Sequence, residues 1–216
     1  MYTLHKAILW DNDGVLVDTE TLFFKDTVRA FEKLGIELTE DIWIRTYLGK
    51  GTGTHQIAVD MGADPDIVEE VLIERNRWYR RTLEKPPRIR TGVELTLKQL
   101  SGHLRLALVT GCSRRQLEQV HGHTTLLPYF ELVVTEDDVE HAKPAPDLYL
   151  LAMKEMGLTP QDCLAVEDTS RGLAAARAAG LECIAAPTAL TRAQDFTGAL
   201  AVVDGVPDVL TYVQKS

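Results

Sequence analysis

Asp11-Asn12-Asp13-Gly14-Val15 sets two carboxylates two residues apart, directly after the apolar run Lys6-Ala7-Ile8-Leu9-Trp10. The run reads as a buried strand, and the turn at Gly14 presents both acids at its tip. Two carboxylates this close repel each other unless a cation or a shared proton intervenes. The pair suits a hard, oxygen-ligated metal. It also suits a division of labour between a nucleophile and a proton carrier. An EF-hand loop would need Glu at its twelfth position, which counted from Asp11 is Leu22. Taken alone, the motif is equally good turn chemistry.

Three later segments add complementary chemistry, each after an apolar run. Residues 104–109 lead into Thr110-Gly111-Cys112-Ser113, where a hydroxyl and the amides of a glycine turn open the next helix. Such turns are anion sites, though Thr110 or Ser113 can also serve as a helix cap. Residues 131–135 precede Lys143-Pro144-Ala145-Pro146-Asp147, in which prolines stiffen the turn and fix where one ammonium points. Residues 163–166 end in Glu167-Asp168-Thr169-Ser170, a second acid pair at a predicted helix start. There Asp168 alone could be a cap. Parallel strands joined by right-handed crossovers bring all four tips to one sheet edge.

In order and spacing these segments resemble the haloacid dehalogenase superfamily. The branch they resemble is that of capped phosphohydrolases similar to phosphoglycolate phosphatase and β-phosphoglucomutase. The family's Asp-x-Asp-Gly motif stands here as Asp11 to Gly14, its Thr or Ser as Thr110, its Lys-Pro-x-Pro-Asp as Lys143 to Asp147, and its Glu-Asp-(Ser/Thr) as Glu167 to Thr169. The resemblance spans nearly the whole chain. It implies an α/β fold, a doubly wound, Rossmann-like parallel-sheet core (residues 1–16 and 87–216) with an inserted helical cap (residues 17–86).

It also implies Mg²⁺-dependent hydrolysis of the phosphate monoester of a small metabolite through an aspartyl-phosphate. Asp11 would be the nucleophile and Asp13 the acid–base. Mg²⁺ would be held by Asp11, Asp168 and the Asp13 carbonyl, with Glu167 acting through water. Thr110, Gly111 and Lys143 would hold the phosphoryl group, and Lys50 in the cap loop would contact substrate. A cis Lys143-Pro144 bond and a monomeric state are implied in the same way.

The cap expectation has independent support in the pattern. Residues 21–34, 39–47 and 66–83 carry helical periodicity: Val68, Val71, Leu72, Arg75, Trp78 and Tyr79 recur at a spacing of three to four. Gly35 ends the first helix, and Pro86-Pro87 marks the return to the core.

Composition bounds the rest. The 216-residue chain is 45% hydrophobic and 25% charged, an ordinary globule of one or two domains. Its net charge of −9 disfavours nucleic acid and anionic membranes as partners. No apolar run approaches the roughly 18 residues of a membrane span. The start, Met1 to Lys6, does not resemble a signal peptide. Three cysteines without a pairing pattern fit reduced thiols in a cytoplasmic protein.

Rival readings are weighed on residues too. A sugar-phosphate mutase of this branch would carry a His where Phe23 stands and an Arg in the loop 48–54, which has none. A signalling phospho-acceptor, or a phosphate-binding module without catalysis, uses similar groups. A receiver domain, however, orders its acid pair and acceptor Asp in reverse and needs no cap. Gly49, Gly51 and Gly53 do not make a dinucleotide fingerprint, because no strand precedes them. The basic run Arg75, Arg77, Arg80, Arg81, Lys85, Arg88 and Arg90 is expected as a solvated helix face. His121 and His123 are expected exposed, and Cys112 as a packed small side chain.

Overall fold

The structure is a computed structural model and describes residues 5–213 of the 216. Residues 1–4, part of the start read as no signal peptide, lie outside the described residues. Six parallel strands form one sheet: β1 (Ala7–Trp10), β2 (Arg105–Val109), β3 (Leu132–Val134), β4 (Cys163–Glu167), β5 (Glu182–Ala185) and β6 (Ala201–Val202). Their order is β3-β2-β1-β4-β5-β6. The chain therefore winds outward from β1, returns, and winds outward again from β4. Beyond the carboxyl ends of β1 and β4 lies the crevice where an open α/β sheet binds its ligands.

Helices α1 (Glu20–Lys33), α2 (Glu40–Trp43), α3 (Thr54–Asp60), α4 (Pro65–Leu83) and α5 (Val93–Leu100) stand between β1 and β2. The helices α6 (Arg114–His121), α7 (Asp147–Met156) and α8 (Ser170–Ala178) complete the later crossovers. Because strand side chains alternate, the sheet feeds two cores. Ile8, Trp10, Leu106, Leu108, Leu164 and Val166 pack with α5 and α6 through Val93, Leu97, Leu117 and Val120. Ala7, Leu9, Ala107, Val109 and Ala165 pack with α7 and α8 through Leu148, Tyr149, Ala152 and Leu173.

A third apolar cluster belongs to the inserted helices: Phe24, Phe31, Trp43, Leu48, Ile57, Val68 and Leu72. Two linkers carry this unit. Asp18 N–H donates to Arg88 O at 2.9 Å, Arg90 N–H donates to Leu16 O at 2.9 Å, and Val17 bridges Ile89 antiparallel. The two crossings thus form a short two-stranded ribbon one step from the first acid pair.

Three local expectations are corrected. The helix expected over 39–47 is a single turn, α2, which passes into a π-helical segment, Ile44–Lys50. Within it Thr46 Oγ1 donates to Ile42 O at 2.6 Å, a side-chain competitor for a backbone acceptor. Gly51, at φ 72°, ends it. In the basic run, Arg75 is buried and donates to Thr27 Oγ1 at 2.9 Å and Thr54 Oγ1 at 3.3 Å, with Phe23 beneath its guanidinium. Arg90 is engaged as well, donating to the carbonyls of Gly14, Ala186 and Pro187. The other five basic side chains are exposed. Finally, His121 is buried at the end of α6, whereas His123 is exposed.

Candidate active site

The loop after β1 is shaped by its own backbone. Asn12 O accepts from the amides of Val15, Leu16 and Val17, and Gly14 N–H donates to Val17 O at 2.8 Å. Gly14 has φ +82°, and a Cβ there would stand 2.0 Å from Asp168 Oδ2. Glycine is demanded twice over, by the dihedral and by the acid against it. Gly172, in the first turn of α8, does the same for the other acid: its Cβ would meet Glu167 Oε2 at 1.9 Å. Thr169, not Asp168, caps α8, accepting from Gly172 N–H at 3.1 Å. Asp168 is thereby left free to face the crevice.

Four of the charged groups named from sequence converge. Lys143 Nζ donates to Asp11 Oδ1 at 2.6 Å and to Val109 O at 2.9 Å, and stands 2.7 Å from Glu167 Oε1. All three charged side chains are buried. The Lys143-Pro144 bond is cis. Glu167 Oε1 also accepts from Tyr149 OH at 2.5 Å, and the Tyr149 ring lies 5.2 Å from the ammonium. One oxygen from each of Asp11, Glu167 and Asp168 lies within 4.8 Å of the others.

Burial lifts the Asp11 carboxyl to about 7, with Lys143 opposing and Glu167 and Asp13 adding to the rise. Asp168 is held well above the usual carboxylate range, chiefly by burial and then by Asp11 and Glu167. Burial alone would lower the Lys143 ammonium, but Asp11 and Glu167 outweigh it and hold it above its ordinary value. One ammonium against three acids is a deficit of positive charge. Asp168 Oδ2 is buried and has no hydrogen-bond partner among the described residues. An all-oxygen donor set with an orphaned, desolvated oxygen fits a hard divalent cation such as Mg²⁺.

The remaining named residues are placed as follows. Asp13 is half-buried and accepts from Thr19 Oγ1, while Thr110 Oγ1 lies 3.5 Å from its other oxygen. Thr110 is fully buried and also accepts from Cys112 N–H at 3.2 Å. Gly111 is exposed and lines the cavity. Ser113 caps α6. Cys112 is a packed thiol, its ionisation pushed up by burial. Lys50 is exposed at the end of the π-helical segment and is not among the residues lining the cavity.

The cavity over these groups is about 200 Å³, room for a small ester and not for a polymer. Its far wall comes from the inserted helices: Glu20, Phe23, Tyr47, Leu48 and Tyr79. Glu20 accepts from Trp43 Nε1 at 2.9 Å, and desolvation lifts its carboxyl to about 7.

Sequence reasoning missed several contributors. Thr19 and Tyr149 hold the acids from outside the motifs. Arg171, in the first turn of the helix after Glu167-Asp168, lines the cavity. His121 Nε2 lies 2.8 Å from Asn12 Oδ1 and Nδ1 lies 2.8 Å from Thr124 Oγ1, so the imidazole donates to the one and accepts from the other. A helical-face count on α6 would have set His121 with Leu117 on the buried side.

The model of the haloacid dehalogenase-like hydrolase family matches residues 8–186. The chain belongs to this family. It is 31% identical over 181 residues to the phosphorylated carbohydrates phosphatase of Thermotoga maritima, covering 82% of each chain. It is 30% identical over 197 residues to the fructose-1-phosphate phosphatase YqaB of Escherichia coli, covering 85% of this chain and 97% of that one. Among solved structures it is similar to CbbY from Rhodobacter sphaeroides in complex with phosphate, with a TM-score of 0.76, 26% identity and 99% of each chain covered. This family member is an enzyme of the phosphatase class. No helix among the described residues is long and apolar enough to cross a membrane.

Proposed function

We propose that the protein hydrolyses the phosphate monoester of a small sugar or related polyol, with Mg²⁺, through a phosphorylated Asp11. The observation that carries the reading is the meeting of Asp11, Lys143, Glu167 and the orphaned Asp168 oxygen at the switch point of the sheet. The relatives' activity on phosphorylated carbohydrates and on fructose 1-phosphate supports the substrate class.

Asp11 attacks phosphorus along the line of the scissile bond, and the ester oxygen departs. Asp13, steadied by Thr19 and Thr110, gives that oxygen its proton. A water then attacks the phosphorus of the aspartyl-phosphate, losing its proton to Asp13 and releasing Asp11 and inorganic phosphate. Lys143 keeps Asp11 ionised and balances charge on the phosphoryl oxygens. Gly111 and Thr110 supply the phosphoryl group's further hydrogen bonds. Asp11, Asp168 and the Asp13 carbonyl would hold the cation, with Glu167 behind them through water. Bound there, Mg²⁺ supplies charge compensation for carboxylates and phosphate.

Residues 17–86 act as the cap, hinged at the ribbon of Leu16–Asp18 with Arg88–Arg90, and exclude water from the acyl phosphate on closing. Lys50 reaches substrate only in a form in which its loop has moved toward the cavity. Phe23 on the cavity wall, in place of an imidazole, sets the reading against a mutase.

The test is phosphate release from a panel of sugar phosphates and an aryl phosphate, with Mg²⁺ or with EDTA, for the wild type and Asp11→Asn. Release that needs the metal and is lost in the variant is expected. A folded wild type that binds Mg²⁺ yet releases nothing would point instead to a phospho-acceptor or binding module.

A further inference from the structure

Arg171 has a setting that the mechanism above does not use. It stands in the first turn of α8, three residues beyond Asp168, and its side chain lines the cavity. Among the described residues that line it, Arg171 and Lys143 are the cations, and Lys143 is taken up by Asp11 and Glu167. Among the described residues Arg171 makes no ion pair, and its buried Nε has no hydrogen-bond partner. Arg171 is part-buried as a whole, but an Nε brought out of water and left unsatisfied is costly unless something else supplies the acceptor.

The surroundings say what kind of acceptor. On the cap side, Tyr47 lies 5.9 Å from the guanidinium carbon. Gly51 packs so near that a Cβ there would stand 3.1 Å from Nη1. Glu20 and Glu136 are among the carboxylates lining the same cavity, and among the described residues neither forms an ion pair with Arg171. A second phosphate placed on Arg171 would meet both acids. A hydroxyl would not be repelled. It can accept from the guanidinium and give its own proton to Glu20, while C–H faces rest on Phe23, Tyr47 and Tyr79.

The geometry points to Arg171 as the residue that reads the leaving group, donating to adjacent hydroxyls of a neutral polyol and disfavouring a substrate with a second anionic group. This rests on the phosphatase reading. It adds a core residue, touching the cap loop at Gly51, that selects among esters by what the phosphate is attached to.

The test compares kcat/KM, with Mg²⁺, on an aryl phosphate, a hexose monophosphate and a hexose bisphosphate, for the wild type, Arg171→Ala and Arg171→Lys. The wild type is expected to favour the monophosphate over the bisphosphate. In Arg171→Ala the ratio of hexose monophosphate to aryl phosphate activity should fall about 10- to 100-fold, the cost of one charged hydrogen-bond donor to a bound oxygen. Arg171→Lys, which keeps the charge and loses the fork, should lower the same ratio and serves if the alanine variant fails to fold. An equal loss on all three esters marks a merely structural residue and overturns the inference. So does a wild-type preference for the bisphosphate that Arg171→Ala abolishes. A wild type active on esters whose ratio does not move in either variant overturns this inference alone. A wild type inactive on every ester overturns the phosphatase reading and this inference together.

Discussion

The two walls of the cavity are built on opposite principles. The core wall is closed: Asp11, Lys143, Glu167 and Tyr149 are buried and tied to one another at 2.5 to 2.7 Å. The wall from the inserted helices is open: Phe23 meets Tyr47 in a tilted pair and Tyr79 edge-on, and opposite them the Nε of Arg171 has no partner among the described residues. Charges that must act on a phosphoryl group are worth most when fixed in place before it arrives. A surface that must accept one leaving group and refuse another does better with apolar faces and a few free polar atoms. The contrast is thus between a half set for chemistry and a half left for choice.

Breaking the closed wall should give the largest effects. Asp11→Asn removes the proposed nucleophile and keeps the shape, so kcat should fall on the order of 10⁴-fold or more, with circular dichroism and the cation-free melt close to wild type. A residual rate within tenfold of wild type would move the nucleophile elsewhere. Lys143→Ala leaves Asp11 and Glu167 without their shared ammonium. We expect kcat to fall about 10²- to 10³-fold. The same variant tests whether the wall is set in advance: if the missing charge is made good by Mg²⁺ alone, added metal will restore the rate, and the closed wall will have been a convenience.

The closed wall was legible in the chain and the open wall largely was not, for a physical reason. Asp11, Thr110, Lys143 and Glu167-Asp168 each follow an apolar run, and parallel topology alone gathers strand tips at one edge. Nothing comparable locates a residue of the inserted helices. Phe23 was readable by its position in a helix, but no periodicity records the π-helical turn at Ile44–Lys50, where Thr46 Oγ1 donates to Ile42 O. Arg75 sat on two patterns at once, the apolar spacing of α4 and a basic run. Burial decided for the first, because Thr27 and Thr54 supply acceptors. Arg171 lay two residues past a recognised motif and looked like an ordinary first-turn side chain. β5 and β6 left no clear trace either: β6 is two residues long, Ala201–Val202.

His121 shows how deep the closed wall goes. It supports Asn12, which lies between Asp11 and Asp13. Burial lowers its pKa to about 4, with Asp13 opposing. The folded value lies below the unfolded one of about 6.5, so the unfolded chain binds the extra proton between those values. Stability from this group is complete above pH 6.5 and is lost as pH falls toward 4. The free energy of unfolding should drop by about 2 kcal/mol between pH 7 and pH 5 on this account. Urea melts of the wild type and His121→Gln at the two pH values check it: the variant should show a smaller drop. Equal drops would assign the acid sensitivity to other groups.

The open wall should yield the smallest effect, and of a different kind. Phe23 touches no reacting group; it packs edge-on to Tyr79, ring centroids 5.0 Å apart, and lines the cavity. Phe23→Leu keeps an apolar side chain and removes the flat face. For a sugar phosphate, KM should rise about three- to tenfold while kcat moves less, since the lost contact serves substrate and transition state alike. The ratio of the two effects is the sharper reading. If kcat falls with KM unchanged, the ring contributes in the transition state, for example by sealing the cap over the acyl phosphate, and the division between a wall for chemistry and a wall for choice does not hold at Phe23.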